Sequence, residues 1–240
     1  MGAGEPASWD KIRNSREKMM ERFVYFDLET IPSQSPAYIE RVRGKIKPPG
    51  NIKKAESIEA WHQEHGEQAA FEEVAKSSFD GGRGHICTIA WAKDDGEVQC
   101  FHAATLADEK PLIAAFFNAL DPYHSETLVG HNIIGFDIGF LRKRAIALGV
   151  KLPGSTTFPR DPKPWDKKIH DTMVMWAGSG NRVSMDDLCD ILGIPGKDGF
   201  DGSMVAEAWA NGQHATIAEY CAADVERTRK IHKRFIAAGW

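Results

Sequence analysis

The stretch Phe23-Val24-Tyr25-Phe26-Asp27-Leu28-Glu29-Thr30 has the pattern of a central strand, because it begins with buried-type residues and ends in acids. Four apolar or aromatic residues in succession are typical of a strand buried on both faces of a sheet. Successive strand residues point to opposite faces, so Asp27 and Glu29 project from one side while Leu28 packs on the other. The stretch therefore predicts two carboxylates side by side at the end of a strand in a hydrophobic sheet.

Two interpretations of this acidic end are open at this point. Polar residues are expected where a strand runs out, so the pair can be an ordinary solvated turn. The pair can also be half of a metal site. The choice depends on whether further carboxylates elsewhere in the chain can reach the same place.

Composition places few limits on function. The 240 residues can form one large domain or two small ones, and 42% hydrophobic and 27% charged residues are ordinary for a globular protein. A net charge of −4 gives no global basic field, so a nucleic-acid partner would have to be held by local patches and metal ions.

The cysteines and the N-terminus indicate a cytoplasmic protein. No cysteine pair has zinc-site spacing, and free thiols suit a reducing compartment. No apolar run is long enough to cross a bilayer, and the N-terminus lacks the apolar core of a signal peptide. We expect no membrane partner. The cysteines are Cys87, Cys100, Cys189 and Cys221.

Residues 1–21 are polar and are predicted to be a flexible leader. The segment from about 31 to 82 is polar and proline-rich and is predicted to be an insertion outside the sheet. Within it, residues 57–76 are predicted to be a helix with Trp61, Phe71 and Val74 on its inner face. The insertion also carries a basic stretch that is either a solvated face or an arm contacting phosphates. Its bases are Arg41, Arg43, Lys45, Lys47, Lys53 and Lys54.

The rest of the chain predicts one mixed α/β sheet, with residues 22–240 as a single domain. A hairpin signal follows the first strand, and strands then alternate with helices. The predicted strands are 85–92, 98–102, 127–129 and 169–176. The predicted helices are 111–120, 136–148, one between Ser184 and Gly193, 204–211, and a final helix opened by a capping box of Thr216 and Glu219.

The loop from Lys151 to Lys168 combines prolines and bases with Trp165. Aromatic and basic residues together are suited to binding a single nucleic-acid strand. Loops are also where such residues are least constrained, so an ordinary surface loop is the alternative.

Two later carboxylates can join the acidic strand end. Asp137 lies in the first turn of a helix that directly follows a buried strand. Asp224 lies on the final helix, where Tyr220 precedes it by four residues and therefore shares its face.

With these residues the chain resembles a known family. Asp27-x-Glu29, Asn132 with Phe136-Asp137, and Tyr220-x-x-x-Asp224 resemble the three motifs of the DEDD 3′-5′ exonucleases, which have a ribonuclease H-like fold. Tyrosine four residues before the last aspartate is typical of the DEDDy branch. Other stretches resemble the stand-alone polymerase-B-like exonucleases of bacteria and phages: Asn51-Ile52-Lys53, Asp171-Thr172-Met173 and Asp201-Gly202-Ser203. The resemblance spans about residues 22–237 and implies a five-stranded mixed sheet with helices on both faces.

The resemblance implies a metal site made of Asp27, Glu29, Asp137 and Asp224. Carboxylates brought together repel one another, by about 4 kcal/mol for each pair at ~4 Å and an effective dielectric constant near 20. Two divalent cations would remove this repulsion, and oxygen ligands favour Mg²⁺ or Mn²⁺. Asp27 would contact both ions, Glu29 and Asp224 the first ion, and Asp137 the second through water. Tyr220 would orient the attacking water.

The resemblance also implies that Leu28, Thr30, Asn132 and Phe136 contact the terminal nucleotide. Core packing is the alternative for Phe136. Asp171 is a fifth carboxylate, but the family pattern does not make it a ligand. Lys197, in Gly196-Lys197, is a candidate contact to a phosphate group.

The leading hypothesis is therefore a metal-dependent exonuclease that removes 5′-monophosphates from the 3′ ends of single-stranded DNA. A 3′ RNA-trimming nuclease is an alternative, because no sensor of a 2′-hydroxyl can be recognised. A catalytically silent nucleic-acid-binding module is another. The sequence does not identify a polymerase or other protein partner.

Overall fold

The computed structural model describes residues 22–121, 126–196 and 199–240, and its centre is a five-stranded mixed sheet. The strands are β1 (Arg22–Ile31), β2 (His85–Lys93), β3 (Gln99–His102), β4 (Glu126–Gly130) and β5 (Ile169–Asp171), in the spatial order β3-β2-β1-β4-β5. The first three are antiparallel in succession, and β4 and β5 run parallel to β1. The predicted leader and Lys197 lie outside the described residues.

Eight α-helices are present in the described ranges. They are α1 (Pro36–Arg43), α2 (Ala55–Ala75), α3 (Glu109–Ala119), α4 (Asp137–Leu148), α5 (Thr172–Ala177), α6 (Met185–Leu192), α7 (Val205–Ala210) and α8 (His214–Ala237). Among the same residues, no helix is both long and apolar enough to span a bilayer.

Side-chain alternation along β1 builds two separate cores. Val24, Phe26 and Leu28 face one side, where they join the main core with α3 and α4. Tyr25 faces the other side and packs with Cys221 and Val225 of α8. The predicted mixed sheet with helices on both faces is confirmed.

The predicted insertion contains α1, α2 and a short 3₁₀ turn, Lys76–Phe79. The structure corrects the inner face predicted for its long helix, because Phe71 is 70% exposed and Ala70 is the buried residue. The reason is that α2 packs mainly against α1, so its apolar residues need not form one buried stripe facing the sheet. The helix also continues through Gly66.

Two element boundaries differ from the prediction. Strand β5 ends at Asp171, and the following residues form α5, because the Asp171 carboxylate caps that helix by accepting hydrogen bonds from the backbone N–H groups of Met173 and Val174. Helix α8 begins at His214, without the predicted capping box of Thr216 and Glu219. The preceding turn at Gly212, which has φ +72°, already directs the chain into α8 two residues earlier.

Other boundaries agree with the sequence. Ser184 caps α6, since its hydroxyl oxygen accepts a hydrogen bond from the Asp187 N–H group at 3.0 Å. Gly149 and Gly193 end α4 and α6 in the left-handed conformation.

Candidate active site

A cleft of about 430 Å³ opens beyond the carboxyl ends of β1 and β4. Such ends are where open α/β sheets hold ligands. The cleft lies between β1, α8 and the segment that leads into α6. Its lining residues are Asp27, Leu28, Glu29, His131, Asn132, Met173, Arg182, Val183, Ser184, Met185, Tyr220 and Asp224.

Asp27 and Glu29 reach the cleft from the face of β1 that α8 covers. A register shift in the pairing of β1 with β2 falls between Glu29 and Thr30, directly after the second acid. Burial raises the pKa of Asp27 well above its usual range, and the negative charges of Glu29, Asp137 and Asp224 raise it further. Glu29, Asp137 and Asp224 are therefore close enough to Asp27 for their charges to raise its pKa.

Tyr220 and Asp224 meet the cleft from α8, one helical turn apart. Burial raises the pKa of the Tyr220 hydroxyl, and Asp224 raises it further by its charge and by a side-chain hydrogen bond. The hydroxyl therefore stays protonated and donates to the carboxylate. The Phe200 ring packs on Tyr220, with ring centroids 5.1 Å apart.

Asp137 lies behind the cleft, at the first residue of α4, and is only 3% exposed. Burial raises its pKa to about 8; hydrogen bonds from its own and the Leu28 backbone N–H groups lower it, whereas the charge of Asp171 raises it. Among the described residues that line the cleft, Asp137 is absent. Its carboxyl group is thus a buried neighbour of the other three acids.

Cys221 is part of this acidic cluster, although the sequence pattern predicted only a free thiol. Its Sγ atom is 3.6 Å from Oδ2 of Asp27. Potential ligand atoms of Asp27, Glu29 and Cys221 all lie within 4.8 Å of one another. Burial raises the pKa of the thiol, and the charges of Asp27 and Glu29 raise it further, so the carboxylates supply the anionic donors. Oxygen donors of this kind fit Mg²⁺ or Mn²⁺.

The turn that carries Asn132 has a strained backbone with specific support. Asn132 has φ +63°, a conformation that asparagine tolerates better than most residues. A Cβ atom on Gly130 would come within 2.0 Å of the Ile133 side chain, so only glycine fits there. The Asp171 carboxylate accepts hydrogen bonds from the N–H groups of Asn132 at 2.8 Å and Ile134 at 3.0 Å. Asp171 therefore holds the turn.

The predicted nucleotide contacts occupy different places. Leu28 and Asn132 line the cleft, whereas Thr30 and Phe136 are not among its described lining residues. The Thr30 hydroxyl donates to the Ser78 carbonyl oxygen at 2.7 Å. Phe136 packs against the main core and lies 5.4 Å from the Phe140 ring, centroid to centroid.

Two polar residues of the cleft wall were missed by the sequence reasoning. Arg182 is an exposed cation at the cleft. His131 connects two segments of the cleft wall by hydrogen bonds. The His131 Nε2 atom lies 3.1 Å from the Val183 carbonyl oxygen, and Nδ1 lies 3.0 Å from the Thr172 hydroxyl. His131 directly precedes Asn132 in the sequence, but no sequence pattern linked it to residue 183.

A solved structure supports the fold. The chain is similar to the family B DNA polymerase from the hyperthermophilic archaeon Pyrobaculum calidifontis, with a TM-score of 0.57 and 19% sequence identity. The similarity covers 98% of this chain and 25% of the polymerase chain. The chain thus spans about a quarter of that polymerase, and at this identity the likeness concerns the fold. No curated protein sequence matches.

A family model gives the more specific result. It describes predicted 3′-5′ exonucleases related to the exonuclease domain of PolB, and it matches residues 84–238. This range contains Asp137, Tyr220 and Asp224 but not β1 with Asp27 and Glu29. Because the match covers more than half of the chain, and the fold agrees with it, the protein belongs to the family of predicted PolB-related 3′-5′ exonucleases.

Proposed function

We propose that this protein is a DEDDy-type exonuclease that uses two divalent metal ions, Mg²⁺ or Mn²⁺, to hydrolyse single-stranded DNA from its 3′ end. The observation that carries the proposal is the convergence of Asp27, Glu29, Tyr220 and Asp224 on one cleft, with Asp137 directly behind it. Asp27 and Glu29 come from β1 and Asp224 comes from α8, two elements that are far apart in sequence. Chance placement of an acidic turn does not explain this convergence.

The carboxylates would hold the ions, as the family resemblance implies for Asp27, Glu29, Asp137 and Asp224. When bound, the ions would neutralise the mutual repulsion of the acids, promote attack by water on the phosphorus and stabilise the leaving 3′ oxygen. Cleavage of the bond between phosphorus and the 3′ oxygen would release a nucleoside 5′-monophosphate and leave a new 3′-hydroxyl group.

Tyr220 would position the attacking water. Its hydroxyl is a hydrogen-bond donor already directed at Asp224, and its raised pKa argues against a role as the proton acceptor. Leu28 and Asn132 are placed in the same cleft, where they can contact the terminal nucleotide. Arg182, as a cation beside the cleft, can attract a phosphate group.

The test uses single-stranded DNA and RNA labelled at either end, incubated with Mg²⁺, Mn²⁺ or a chelator. We expect stepwise shortening of DNA from the 3′ end that requires the metal and is lost in Asp27→Ala. Glu219→Ala is the matched control, because Glu219 is an exposed acid on α8 outside the cleft.

Each alternative gives a different result. Shortening of RNA in strong preference to DNA would indicate an RNA-trimming enzyme. Binding of either polymer without shortening would indicate a silent binding module. Activity that survives in Asp27→Ala would contradict the proposed site.

A further inference from the structure

A second cavity lies on the other side of the turn that carries Asn132. It measures about 160 Å³ and is lined by residues of the loop before β5, by β5 itself, by α5 and by Trp240. Ile134 and Asp171 line this cavity, whereas Asn132 lines the catalytic cleft. The Asp171 carboxylate binds the N–H groups of both Asn132 and Ile134. One clamped turn therefore separates the two spaces.

The α5 helix also lies between the catalytic cleft and the second cavity. Met173 lines the catalytic cleft, and the next residue, Val174, lines the second cavity. Both backbone N–H groups are bonded to Asp171. The catalytic cleft and the second cavity are therefore neighbouring spaces, divided by the Asn132–Ile134 turn and the start of α5.

Two tryptophans border the second cavity and are left largely in solvent. Trp165 is 79% exposed and Trp240 is 68% exposed. Large aromatic side chains in contact with water are typical of binding surfaces, particularly when they flank a concave site. They come from separate parts of the chain, so their meeting at one cavity is a property of the tertiary structure.

Backbone hydrogen bonds order the chain around both tryptophans. The turn around Trp165 is closed by a hydrogen bond from the Asp166 N–H group to the Lys163 carbonyl oxygen at 2.9 Å. The Trp240 N–H group donates to the Phe235 carbonyl oxygen at the end of α8, at 3.2 Å. A backbone that is already ordered loses less conformational entropy when a ligand binds.

The charge of the surrounding loop fits a polyanion. Residues 151–168 contain five bases and two acids, which gives +3 in a chain whose net charge is −4. Lys167 is exposed, directly after the Asp166 that lines the cavity. Aromatic rings next to basic residues are the features that bind single-stranded nucleic acid. The cavity volume is well below the roughly 300 Å³ at which typical small-molecule pockets begin, so it suits a single flat ring system.

We propose that the cavity bordered by Trp165 and Trp240 binds one nucleobase of the single-stranded substrate, upstream of the nucleotide whose phosphodiester bond is cut. This inference rests on the proposed exonuclease function and extends it. The base stacks on the tryptophan rings, while the lysines of residues 151–168 attract the phosphates of the same strand. The site strengthens the binding of longer strands and does not take part in the chemical step.

The first test separates the second cavity from the catalytic cleft by substrate length. Binding of a 5′-fluorescein-labelled oligothymidylate of twelve nucleotides is measured by anisotropy with a chelator present, so that no cleavage occurs. Hydrolysis of the p-nitrophenyl ester of thymidine 5′-monophosphate is measured with Mn²⁺, because this mononucleotide occupies only the catalytic cleft. The variants are Trp165→Ala, Trp240→Ala and the conservative Trp165→Phe.

We expect Trp165→Ala and Trp240→Ala each to weaken binding of the oligonucleotide about tenfold, as loss of one base-stacking contact does. Trp165→Phe should retain most of the affinity for the oligonucleotide. Hydrolysis of the mononucleotide ester should be unchanged in all three variants. Phe101→Ala is the matched control, because Phe101 is 47% exposed and stacks on Trp91 at the opposite edge of the sheet. Oligonucleotide binding by both alanine variants that equals that of the unaltered protein would overturn the proposal.

A second measurement locates the base directly. Oligonucleotides with 5-iodouracil at successive positions are crosslinked to the protein by light, and the modified peptides are identified by mass spectrometry. Crosslinks at Trp165 or Trp240 from one upstream position support the site, and crosslinks confined to cleft residues would overturn it. Failure of the unaltered protein to hydrolyse any substrate would contradict the exonuclease proposal alone, since both binding measurements proceed without catalysis.

Discussion

The Nη1 atom of Arg227 lies 2.7 Å from the Oδ1 atom of Asp224, and the Nη2 atom of Arg227 donates to the Gly196 carbonyl oxygen at 2.9 Å. The Arg227 side chain is only 12% exposed. One oxygen of a proposed metal ligand is therefore paired with a cation that the loop before α7 holds in place. A divalent ion at Asp224 must share this carboxylate with Arg227 or displace it.

We expect Arg227→Met to increase the affinity of the protein for Mn²⁺ by about tenfold. Charges of +1 and +2 at ~5 Å repel each other by about 1.7 kcal/mol even at the dielectric constant of water, and the substitution removes this repulsion. The metal-free variant should unfold at a lower temperature, because Asp224 loses its counter-ion. Calorimetric titration with Mn²⁺ and thermal unfolding in chelator measure the two effects.

Arg234→Met is the control for this prediction, since Arg234 is an exposed cation in the last turn of the same helix. It should change neither the affinity for Mn²⁺ nor the unfolding temperature of the metal-free protein appreciably. Weaker Mn²⁺ binding in Arg227→Met would mean that Arg227 acts chiefly by orienting Asp224 and not as a competing cation.

Replacement of Tyr220 by phenylalanine should separate catalysis from metal binding. The hydroxyl group is bonded to Asp224 but is assigned to the attacking water, so its loss should lower kcat by about a hundredfold, as misplacement of a reacting group does. The Kd for Mn²⁺ should stay within about twofold of its original value. Tyr38→Phe, in α1, serves as the control. A collapse of Mn²⁺ affinity in Tyr220→Phe would contradict the assigned role.

Asp137 should make the metal-free protein less stable as the pH rises. Its pKa is about 8 in the folded chain, against 3.8 for an ordinary aspartate. Between these values the unfolded chain binds fewer protons than the folded chain, so the free energy of unfolding falls with increasing pH. Asp137→Asn keeps an acceptor oxygen for the Leu28 N–H group and cannot ionise. At pH 9 it should raise Tm by about 10 °C, because a pKa difference of about four corresponds to roughly 5 kcal/mol.

The increase in Tm caused by Asp137→Asn should depend on pH, and this dependence tests the prediction. At pH 5 the aspartic acid is neutral in the folded chain but mostly ionised in the unfolded chain, so Asp137→Asn should raise Tm by a smaller amount, about 4 °C. Thermal unfolding in chelator at both pH values measures the difference. Glu59→Gln, at an exposed position of α2, should have no comparable pH-dependent effect. A larger gain at pH 5 than at pH 9 would contradict the buried, protonated state of Asp137.

The sequence predicts the acidic half of the cleft because that half follows local rules. Alternation along β1 places Asp27 and Glu29 on one face, and the spacing of one helical turn places Tyr220 beside Asp224. The start of α6 likewise depends on residues close in sequence, because Ser184 caps the N–H group of Asp187. Each of these features needs only the geometry of a single strand or helix.

The features that the sequence reasoning missed depend on contacts between distant segments. The apolar run after Asp171 has strand-like composition, but the Asp171 carboxylate starts a helix there while it also binds the Asn132 turn. The contact between His131 and Val183 joins residues 52 positions apart. Phe71 is exposed because α2 packs on α1, a partner that no periodicity in α2 indicates.

Asp171 should be a positioning residue for both cavities, which Asp171→Asn tests. The carboxylate accepts hydrogen bonds from four backbone N–H groups, and asparagine would present an NH₂ group to some of them. Hydrogen bonds to a charged acceptor are worth roughly 1.5–3 kcal/mol each, so we expect a loss of about 2–3 kcal/mol in the free energy of unfolding, measured with urea. Asp186→Asn, an exposed acid on α6, is the control. Oligonucleotide binding should weaken along with hydrolysis of the mononucleotide ester, because the Asn132–Ile134 turn forms a wall of both spaces. An unchanged urea midpoint together with unchanged binding would show that the turn holds its strained conformation without Asp171.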